Sequence, residues 1–170
     1  MESGKACRSK GIYKQGDKGD EGDPLTVYVV DASVSSRFLL VEDLAEEAIS
    51  ILEGFLEGKF DLRAPRLAIY EVGNTLWKAV RQGFISRGEA VQKFSYFLDL
   101  RICSIELDER EYEGVLEWSI EKNATYYDSI YVMASKKIGA TLLTADDELY
   151  EKAKGEIPAL HLRDYRKYEH

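Results

Sequence analysis

The chain has 170 residues, of which 45% are hydrophobic and 32% charged, which fits one domain with its own core and excludes two full domains. A formal net charge of -8 excludes a protein that binds nucleic acid mainly through a basic surface, because such binding depends on Lys and Arg. The two histidines, His161 and His170, both lie near the C-terminus, so neither a His-ligated zinc site nor a histidine-centred mechanism is expected.

The first part of the chain differs in composition from the rest. Residues 1–24 are dominated by Gly, Lys, Asp and Glu and offer little to bury, so we expect a flexible extension followed by one domain over residues 25–170. Cys7 and Cys103 provide neither a disulfide framework nor a cysteine-based zinc spacing, and we expect a reducing, cytoplasmic setting. No apolar run approaches the roughly 18 residues of a membrane span, so no membrane association is expected.

From residue 25 onward, strand-like and helix-like patterns alternate. A β-branched and aromatic run over residues 25–31 is typical of a strand buried on both faces of a parallel sheet. Pro65 suits the first turn of a helix, and Gly139 suits the end of one. Further strands are predicted over residues 102–107, 141–144 and 159–162, and helices over residues 34–40, 43–57, 65–83, 86–99, 109–122, 125–138 and 148–154. This alternation predicts an α/β fold with a mainly parallel central sheet and helices on both faces.

Four acids fall where this topology brings chain segments together. Ligands of an open parallel sheet bind beyond the carboxyl ends of the strands, the edge at which the following helices begin. Asp31 ends the first strand, and Asp146 follows the strand over residues 141–144. Asp128 lies in a first helical turn, and Glu71 lies about a turn and a half into a helix whose side chains lean back toward its N-terminus. We therefore expect all four carboxylates to face one crevice.

Each acid also has a purely structural interpretation, which the sequence leaves open. Asp31 could cap the helix that follows it, Asp128 completes a T-x-x-D capping pattern, and Asp146 could belong to an ordinary loop. Glu71 could lie on a solvated helix face. Asp147 is an alternative to Asp146, because adjacent acids in a loop cannot be told apart from sequence.

A cluster of carboxylates needs a counter-charge, because like charges repel and would otherwise keep some groups protonated. Oxygen ligands without His or Cys suit Mg²⁺ or Mn²⁺, which retain several waters and leave coordination sites for phosphate oxygens. Such ions activate water and stabilise the charge that develops on a scissile phosphate. The acidic composition and a nucleic-acid substrate are therefore compatible, because the metal supplies the positive charge.

Four short segments carry the acids in one order: VVDAS at residues 29–33, YEVGN at 70–74, YDSIY at 127–131 and LTADD at 143–147. In this order and spacing the sequence resembles PIN-domain nucleases, and specifically the VapC-type toxins of prokaryotic toxin–antitoxin pairs. The resemblance extends over about residues 26–165. It implies a three-layer α/β/α fold, Mg²⁺- or Mn²⁺-dependent endonuclease cleavage of RNA, a homodimer, and inhibition by a small antitoxin protein.

The resemblance also implies roles for individual residues. The metal-binding acids would be Asp31, Glu71, Asp128 and Asp146. Asn74 lies one helical turn from Glu71, which suits a hydrogen bond that orients the Glu71 carboxylate. Ser33 and Thr144 are candidate polar neighbours of the site, although either hydroxyl could equally belong to a turn or a cap.

An RNA substrate must also be held by its backbone. Five basic residues lie on segments that flank the expected crevice: Arg37, Lys78, Arg81, Lys136 and Lys137. For each of them alone, a solvated helix face is the favoured interpretation.

Other functions are less compatible with the sequence. A phosphoacceptor receiver domain needs a lysine after its last strand, and a haloacid-dehalogenase-like phosphatase needs an acid where Ser33 stands. The alternative that remains is a catalytically inactive PIN-like binding or assembly module, although such a module could lose its acids without losing its fold. Cleavage of DNA also stays open, because nothing in the sequence identifies a contact to a ribose 2′-hydroxyl.

Overall fold

The computed structural model describes residues 25–168, so the predicted flexible extension over residues 1–24 lies outside the described part. The strands are β1 (Val27–Val30), β2 (Asp61–Pro65), β3 (Cys103–Ile105), β4 (Thr141–Thr144) and β5 (Ala159–His161). The helices are α1 (Ala32–Arg37), α2 (Ala45–Leu56), α3 (Leu67–Arg81), α4 (Arg87–Asp99), α5 (Glu109–Lys122), α6 (Tyr126–Ile138) and α7 (Asp147–Ala153). A 3₁₀ segment, Leu162–Tyr168, follows β5.

The central sheet is parallel throughout, with the five strands in the order β3-β2-β1-β4-β5. β1 is the central strand, and its Val30 is paired with Leu143 of β4. The backbone amide of Asp31 extends this pairing by donating to the Leu143 carbonyl at 3.2 Å. The carboxyl ends of β1 and β4 therefore lie side by side, which brings Asp31 next to the loop that follows β4.

Helices cover the sheet as the alternating pattern predicted. Helix α6 packs on β1, β2 and β4, and α5 packs against α6. Helices α1 to α4 form a second group in which α1 contacts α2 and α3, and α3 contacts α4 and β2. The arrangement is a three-layer α/β/α fold, so the predicted fold class is confirmed.

A close approach between α2 and the sheet depends on one glycine. Gly54 is buried in α2, and a Cβ atom built at this position would lie 2.6 Å from the Phe60 ring. Phe60 immediately precedes β2 and also makes an edge contact with Tyr28 of β1, with 5.2 Å between the ring centroids. The missing side chain at Gly54 thus lets α2 pack directly on the residue that leads into β2.

One strand was not predicted. Residues Asp61–Pro65 form β2, between β1 and β3, and Pro65 is the last residue of this strand and not a residue of the following helix, which begins at Leu67. The charged residues Asp61 and Arg63 hide the strand pattern in the sequence. Asp61 is nevertheless buried, because the Arg63 guanidinium donates to its carboxylate at 3.2 Å. Pairing with two neighbouring strands therefore overrides the weak local propensity.

The remaining elements agree with the predicted ones to within a few residues, a usual uncertainty at helix ends. The helix end predicted at Gly139 is confirmed, because Gly139 ends α6 with φ of 65°. Asp108 caps α5 in a reciprocal capping box. Within residues 25–168, no helix has the length and apolar character needed to cross a bilayer.

Candidate active site

The carboxylate of Asp31 is the most strongly held group at this edge of the sheet. Its side chain is buried, at 4% exposure, and both of its oxygens accept short hydrogen bonds. Oδ1 accepts from the Ser33 hydroxyl at 2.6 Å and from the backbone amide of Val34 at 3.0 Å, and Oδ2 accepts from the Thr144 hydroxyl at 2.6 Å. The bond from Val34 makes Asp31 the N-cap of α1, so the capping interpretation holds together with a central place in the cluster.

The two hydroxyls that bind Asp31 also hold the loop after β4. Ser33 accepts from the backbone amide of Ala145 at 2.9 Å, and Thr144 accepts from the backbone amide of Asp146 at 2.9 Å. Two hydrogen-bond relays therefore run from this loop to Asp31, one through Ser33 to Oδ1 and one through Thr144 to Oδ2. The chain positions of Thr144 and Asp31 differ by 113, so the contact depends entirely on the pairing of β1 with β4.

Glu71 is oriented by a residue that the sequence did not suggest. The hydroxyl of Tyr131, on α6, donates to Glu71 Oε2 at 2.6 Å, although the two residues are 60 positions apart. Tyr131 is buried, and Glu71 is half-buried near the start of α3. Asn74, predicted to orient this carboxylate, is exposed beside Glu71 on the wall of a cavity, and no hydrogen bond joins the two. A signal was nevertheless present, because Tyr131 lies one helical turn after Asp128 and so on the same face of α6.

Asp128 and Asp146 both serve as helix-terminal residues. Asp128, half-buried in the first turn of α6, accepts from the Thr125 hydroxyl at 2.7 Å, and its amide donates back to Thr125 at 3.1 Å. Asp146 is exposed, and its side chain caps α7 by accepting from the backbone amide of Leu149 at 2.8 Å. Asp146 is therefore the cap of α7, whereas α6 is capped by Thr125 and Asp128 binds the hydroxyl of that cap.

Asp147, the alternative to Asp146, belongs to a different set of contacts. Its Oδ1 contacts the guanidinium of Arg163 and lies 3.4 Å from Nε2 of His161. Asp146, by contrast, interacts electrostatically with both Asp31 and Asp128. The two adjacent acids thus take part in different contacts, a distinction that depends on His161 and Arg163 and could not be read from the sequence.

The four acids are coupled through their charges. Burial raises the pKa of Asp31, and hydrogen bonds oppose this shift while the nearby charge of Asp146 adds to it. Burial also raises the pKa of Glu71, and the charges of Asp31 and Asp128 raise it further. Burial raises the pKa of Asp128 as well, and the charge of Asp146 adds to that shift. The pKa of Tyr131 rises far above its usual range, through burial first and then through the Glu71 charge, so Tyr131 stays a hydrogen-bond donor. The fold therefore holds several carboxylates with too little positive charge to offset them.

An open cavity of about 240 Å³ lies in front of Glu71. Its walls include Asn74, Lys78 and Arg37. The Arg37 guanidinium is occupied, because it donates to the Ser33 carbonyl at 2.6 Å and to both the carbonyl and the carboxylate of Asp43. Lys78 is the exposed cation on this wall, so it is better placed than Arg37 to meet a substrate phosphate.

The other predicted basic residues lie in different surroundings. The Arg81 guanidinium stacks 5.5 Å from the centroid of the Trp77 ring. Lys137 donates to the carboxylate of Glu111 at 2.7 Å and thereby joins α6 to α5. Lys136 is exposed near the C-terminal end of α6, the opposite end of that helix from Asp128. None of the three lines the cavity in front of Glu71.

The donor set suits a hard divalent cation. All four acids offer oxygen, and the raised pKa values show a need for positive charge. Across residues 25–168, however, no three His, Cys, Asp or Glu side chains stand close enough together to enclose an ion on their own. This arrangement still fits Mg²⁺, which takes one or two carboxylates directly and fills its remaining positions with water and substrate oxygens.

Comparison with known proteins assigns relatives to the chain. The family described as PIN domain matches residues 28–155. Ribonuclease VapC3 of Pyrobaculum aerophilum is 34% identical over 140 residues, which cover 78% of this chain and 95% of VapC3. Exonuclease VapC9 of the same organism is 36% identical over 92 residues, which cover 54% of this chain and 66% of VapC9. The crystal structure of PAE2754 from Pyrobaculum aerophilum superposes with a TM-score of 0.62 at 28% identity, over 82% of this chain and 93% of PAE2754.

Proposed function

The chain belongs to the PIN-domain family and is a relative of the VapC ribonucleases, and from this premise we propose that it is a Mg²⁺- or Mn²⁺-dependent endoribonuclease, the toxin of a type II toxin–antitoxin pair. The observation that carries the proposal is the buried carboxylate of Asp31, whose charge acts on Glu71 and is acted on by Asp146. A fold that only needed a helix cap at this position would not require a buried carboxylate that interacts with the charges of two further acids.

In this proposal the metal is held by Asp31, Glu71, Asp128 and Asp146. When bound, a divalent ion supplies positive charge and an activated water for hydrolysis of a phosphodiester bond. Ser33 and Thr144 fix the Asp31 carboxylate, since each donates one hydrogen bond of 2.6 Å to it. Three donor contacts leave part of the carboxylate's capacity of about four acceptor positions for a metal or its water.

The supporting residues act through these acids. The Tyr131 hydroxyl holds one oxygen of Glu71 and leaves the other free to face the cavity. The Thr125 hydroxyl holds one oxygen of Asp128 in the same way. Lys78, on the cavity wall, would contact the RNA backbone on the side of the scissile phosphate.

The proposal is tested with purified protein, freed of any bound antitoxin, and total cellular RNA. Cleavage is expected with Mg²⁺ or Mn²⁺ and should stop when the metal is chelated. Asp31→Asn and Asp128→Asn should each lower the cleavage rate by at least about 100-fold. Mutation of a residue that only hydrogen-bonds to a metal ligand already lowers metal affinity or activity by about 10- to 100-fold. Asp99→Asn, at an exposed acid that ends α4, is the matched control and should cleave like the wild type.

The same assay separates the enzyme from an inactive binding module. A module would bind RNA or a protein partner without cutting, and the two Asn variants would behave like Asp99→Asn. Circular dichroism of all variants establishes that they are folded. Loss of cleavage in the control as well would contradict the assignment of the reaction to the acids around Asp31.

The position of the cut is a separate question, because one relative is named a ribonuclease and another an exonuclease. We infer internal cleavage from the resemblance to VapC-type toxins. A circular single-stranded RNA tests this inference, since an endonuclease linearises the circle and an exonuclease leaves it intact. Mapping of the new ends then identifies the target sequence.

We further infer that the protein acts in the cytoplasm as a homodimer and is inhibited by a small antitoxin protein. The resemblance to VapC-type toxins supports these three points. Light scattering on the purified chain measures the oligomer. Co-expression with the product of a short neighbouring reading frame tests the antitoxin, which should co-purify with the chain and suppress cleavage of RNA.

A further inference from the structure

Three residues form a cluster near the end of β5: His161 of β5, Arg163 of the following 3₁₀ segment and Asp147 of α7. His161 is the last residue of β5 and is paired in register with Thr144 of β4. Its side chain is 2% exposed, and its Nε2 atom has no hydrogen-bond partner within the described part of the chain. A buried donor or acceptor without a partner is costly, so its position calls for a physical reason.

The protonation of His161 follows from its neighbours. Its Nδ1 atom accepts from the backbone amide of Arg163 at 3.1 Å and from Nε of the same guanidinium at 2.9 Å. An imidazole that accepts at Nδ1 carries its proton on Nε2. Asp147 Oδ1 lies 3.4 Å from Nε2 without a hydrogen bond between them, and it contacts the Arg163 guanidinium. Arg163 therefore links Asp147 to the imidazole of His161, because it contacts the carboxylate and donates to Nδ1.

Asp147 is joined by a single peptide bond to Asp146. The amide of Asp146 is held by Thr144 at 2.9 Å, and the loop is also held through Ala145. The loop from Ala145 to Asp147 is thus attached on two sides. The relays to Asp31 form one attachment, and the cluster with His161 forms the other.

The strength of the ion pair between Arg163 and Asp147 indicates whether it stabilises the whole fold or only orients the loop. Arg163 and Asp147 are 49% and 75% exposed, and exposed ion pairs of this kind contribute only about 0 to 1 kcal/mol to stability. The contact is therefore too weak to matter much for folding. A contact of this strength can still select one orientation of a short loop.

We propose that His161 and Arg163 are positioning residues, which hold Asp147 and thereby keep the adjacent Asp146 directed at Asp31 and Asp128. The consequence for metal binding rests on the proposed function, whereas the consequence for the loop does not. The arrangement also gives Asp147 a role that is different from metal binding.

Three variants of the whole chain test this role: Asp147→Ala, Arg163→Gln and His161→Asn. Two quantities are measured on each, namely the Mn²⁺ dissociation constant by calorimetric titration and the hydrogen-exchange protection of the amides of Asp146 and Leu149. We expect Mn²⁺ affinity to fall by up to about 5-fold, because the contact that is removed is a weak, exposed ion pair. Exchange protection of both amides should fall as well. The surface variants Asp147→Ala and Arg163→Gln keep the test valid if the buried His161 variant fails to fold.

Two comparisons distinguish positioning from a general structural effect. Glu151→Ala removes another exposed acid of α7, one that pairs with Lys154, and should leave both quantities and the melting temperature unchanged. Arg163→Lys keeps a cation beside Asp147 and should retain more Mn²⁺ affinity than Arg163→Gln.

The outcomes separate this inference from the proposed function. If the wild type binds no Mn²⁺ but the variants lose amide protection, the positioning role holds and the metal-dependent function fails. If the wild type binds Mn²⁺ and the three variants match it in both affinity and protection, the positioning role is overturned and the function stands.

Discussion

At the scale of single residues, three of the four acids do two things at once. Asp31 and Asp146 accept from backbone amides in the first turns of α1 and α7, and Asp128 lies in the capped first turn of α6. A helix N-terminus favours negative charge, so the end of a parallel strand followed by a helix is a place where an acid is both tolerated and useful. Capping and clustering are therefore compatible, although the sequence presented them as alternatives.

Replacement of Tyr131 by Phe tests how far a neighbour controls one of these acids. The variant keeps the buried ring and removes the 2.6 Å hydrogen bond to Glu71, so Glu71 is freed to rotate. We expect Mn²⁺ affinity and cleavage to fall by about 10-fold, in the lower part of the range for groups that orient metal ligands. Tyr28→Phe, in β1, is the control, because it removes a tyrosine hydroxyl at another place in the domain. Equal behaviour of the two variants would contradict an orienting role for Tyr131.

The same residues show which parts of the site a sequence can predict. Asp31 and Asp146 follow from strand ends, and Ser33 follows from its position beside Asp31; all three are local features. The bond from Tyr131 to Glu71 and the pairing of Asp147 with Arg163 join distant segments. Side-chain directions across such distances are set by packing between elements, and no spacing in the sequence encodes them.

At the scale of elements, the predictable parts are those with a strong local pattern. The apolar β1 and β4 and the amphipathic helices follow from periodicity, and the fold class follows from their alternation. The missed element, β2, places Asp61 and Arg63 on one face, where they pair with each other. Its strand character comes from hydrogen bonding to β1 and β3, which exists only in the assembled sheet.

Replacement of Gly54 by Ala tests the contact that brings α2 to the start of β2. The added methyl group would lie 2.6 Å from the Phe60 ring, so the ring or the helix must move. Overpacking of this kind typically lowers the free energy of unfolding by about 1 to 3 kcal/mol, which chemical denaturation measures. Gly155→Ala is the matched control, because no atom lies within 4 Å of the added group. A Gly54→Ala variant as stable as Gly155→Ala would show that the contact is not close in solution.

At the scale of the whole molecule, the acidic site lowers the stability of the fold while it provides the groups needed for the proposed activity. Burial raises the pKa of Asp31, Glu71 and Asp128, so ionising these groups costs more in the folded chain than in the unfolded one. Active-site arrangements often lower stability in this way. In the proposed function, a bound divalent ion offsets the cost and binds only the folded chain.

A pH series on the metal-free protein tests this conflict through Glu71→Gln. The folded pKa of Glu71 is raised above the unfolded value of about 4.3, so the folded state binds the proton more tightly. The contribution of this group to stability is therefore favourable below both pKa values and is lost as pH rises through the folded pKa. At pH 7.5 we expect the variant to melt at a higher temperature than the wild type, with the difference shrinking toward pH 4. Added Mn²⁺ should raise the melting temperature of the wild type more than that of the variant. A lower melting temperature for the metal-free variant at pH 7.5 would contradict this account.

The central place of β1 has a consequence for the synthesis of the protein. Of the five described strands, β1 leaves the ribosome first, yet its neighbour β4 and the relays from Thr144 to Asp31 arrive only after more than a hundred further residues have been translated. Until then, the Asp31 carboxylate lacks both the Thr144 hydroxyl and the acid at position 146. A nascent chain would therefore carry no assembled site during most of its synthesis. The ribosome that makes the chain would be exposed to the proposed activity only after the domain has been almost fully synthesised.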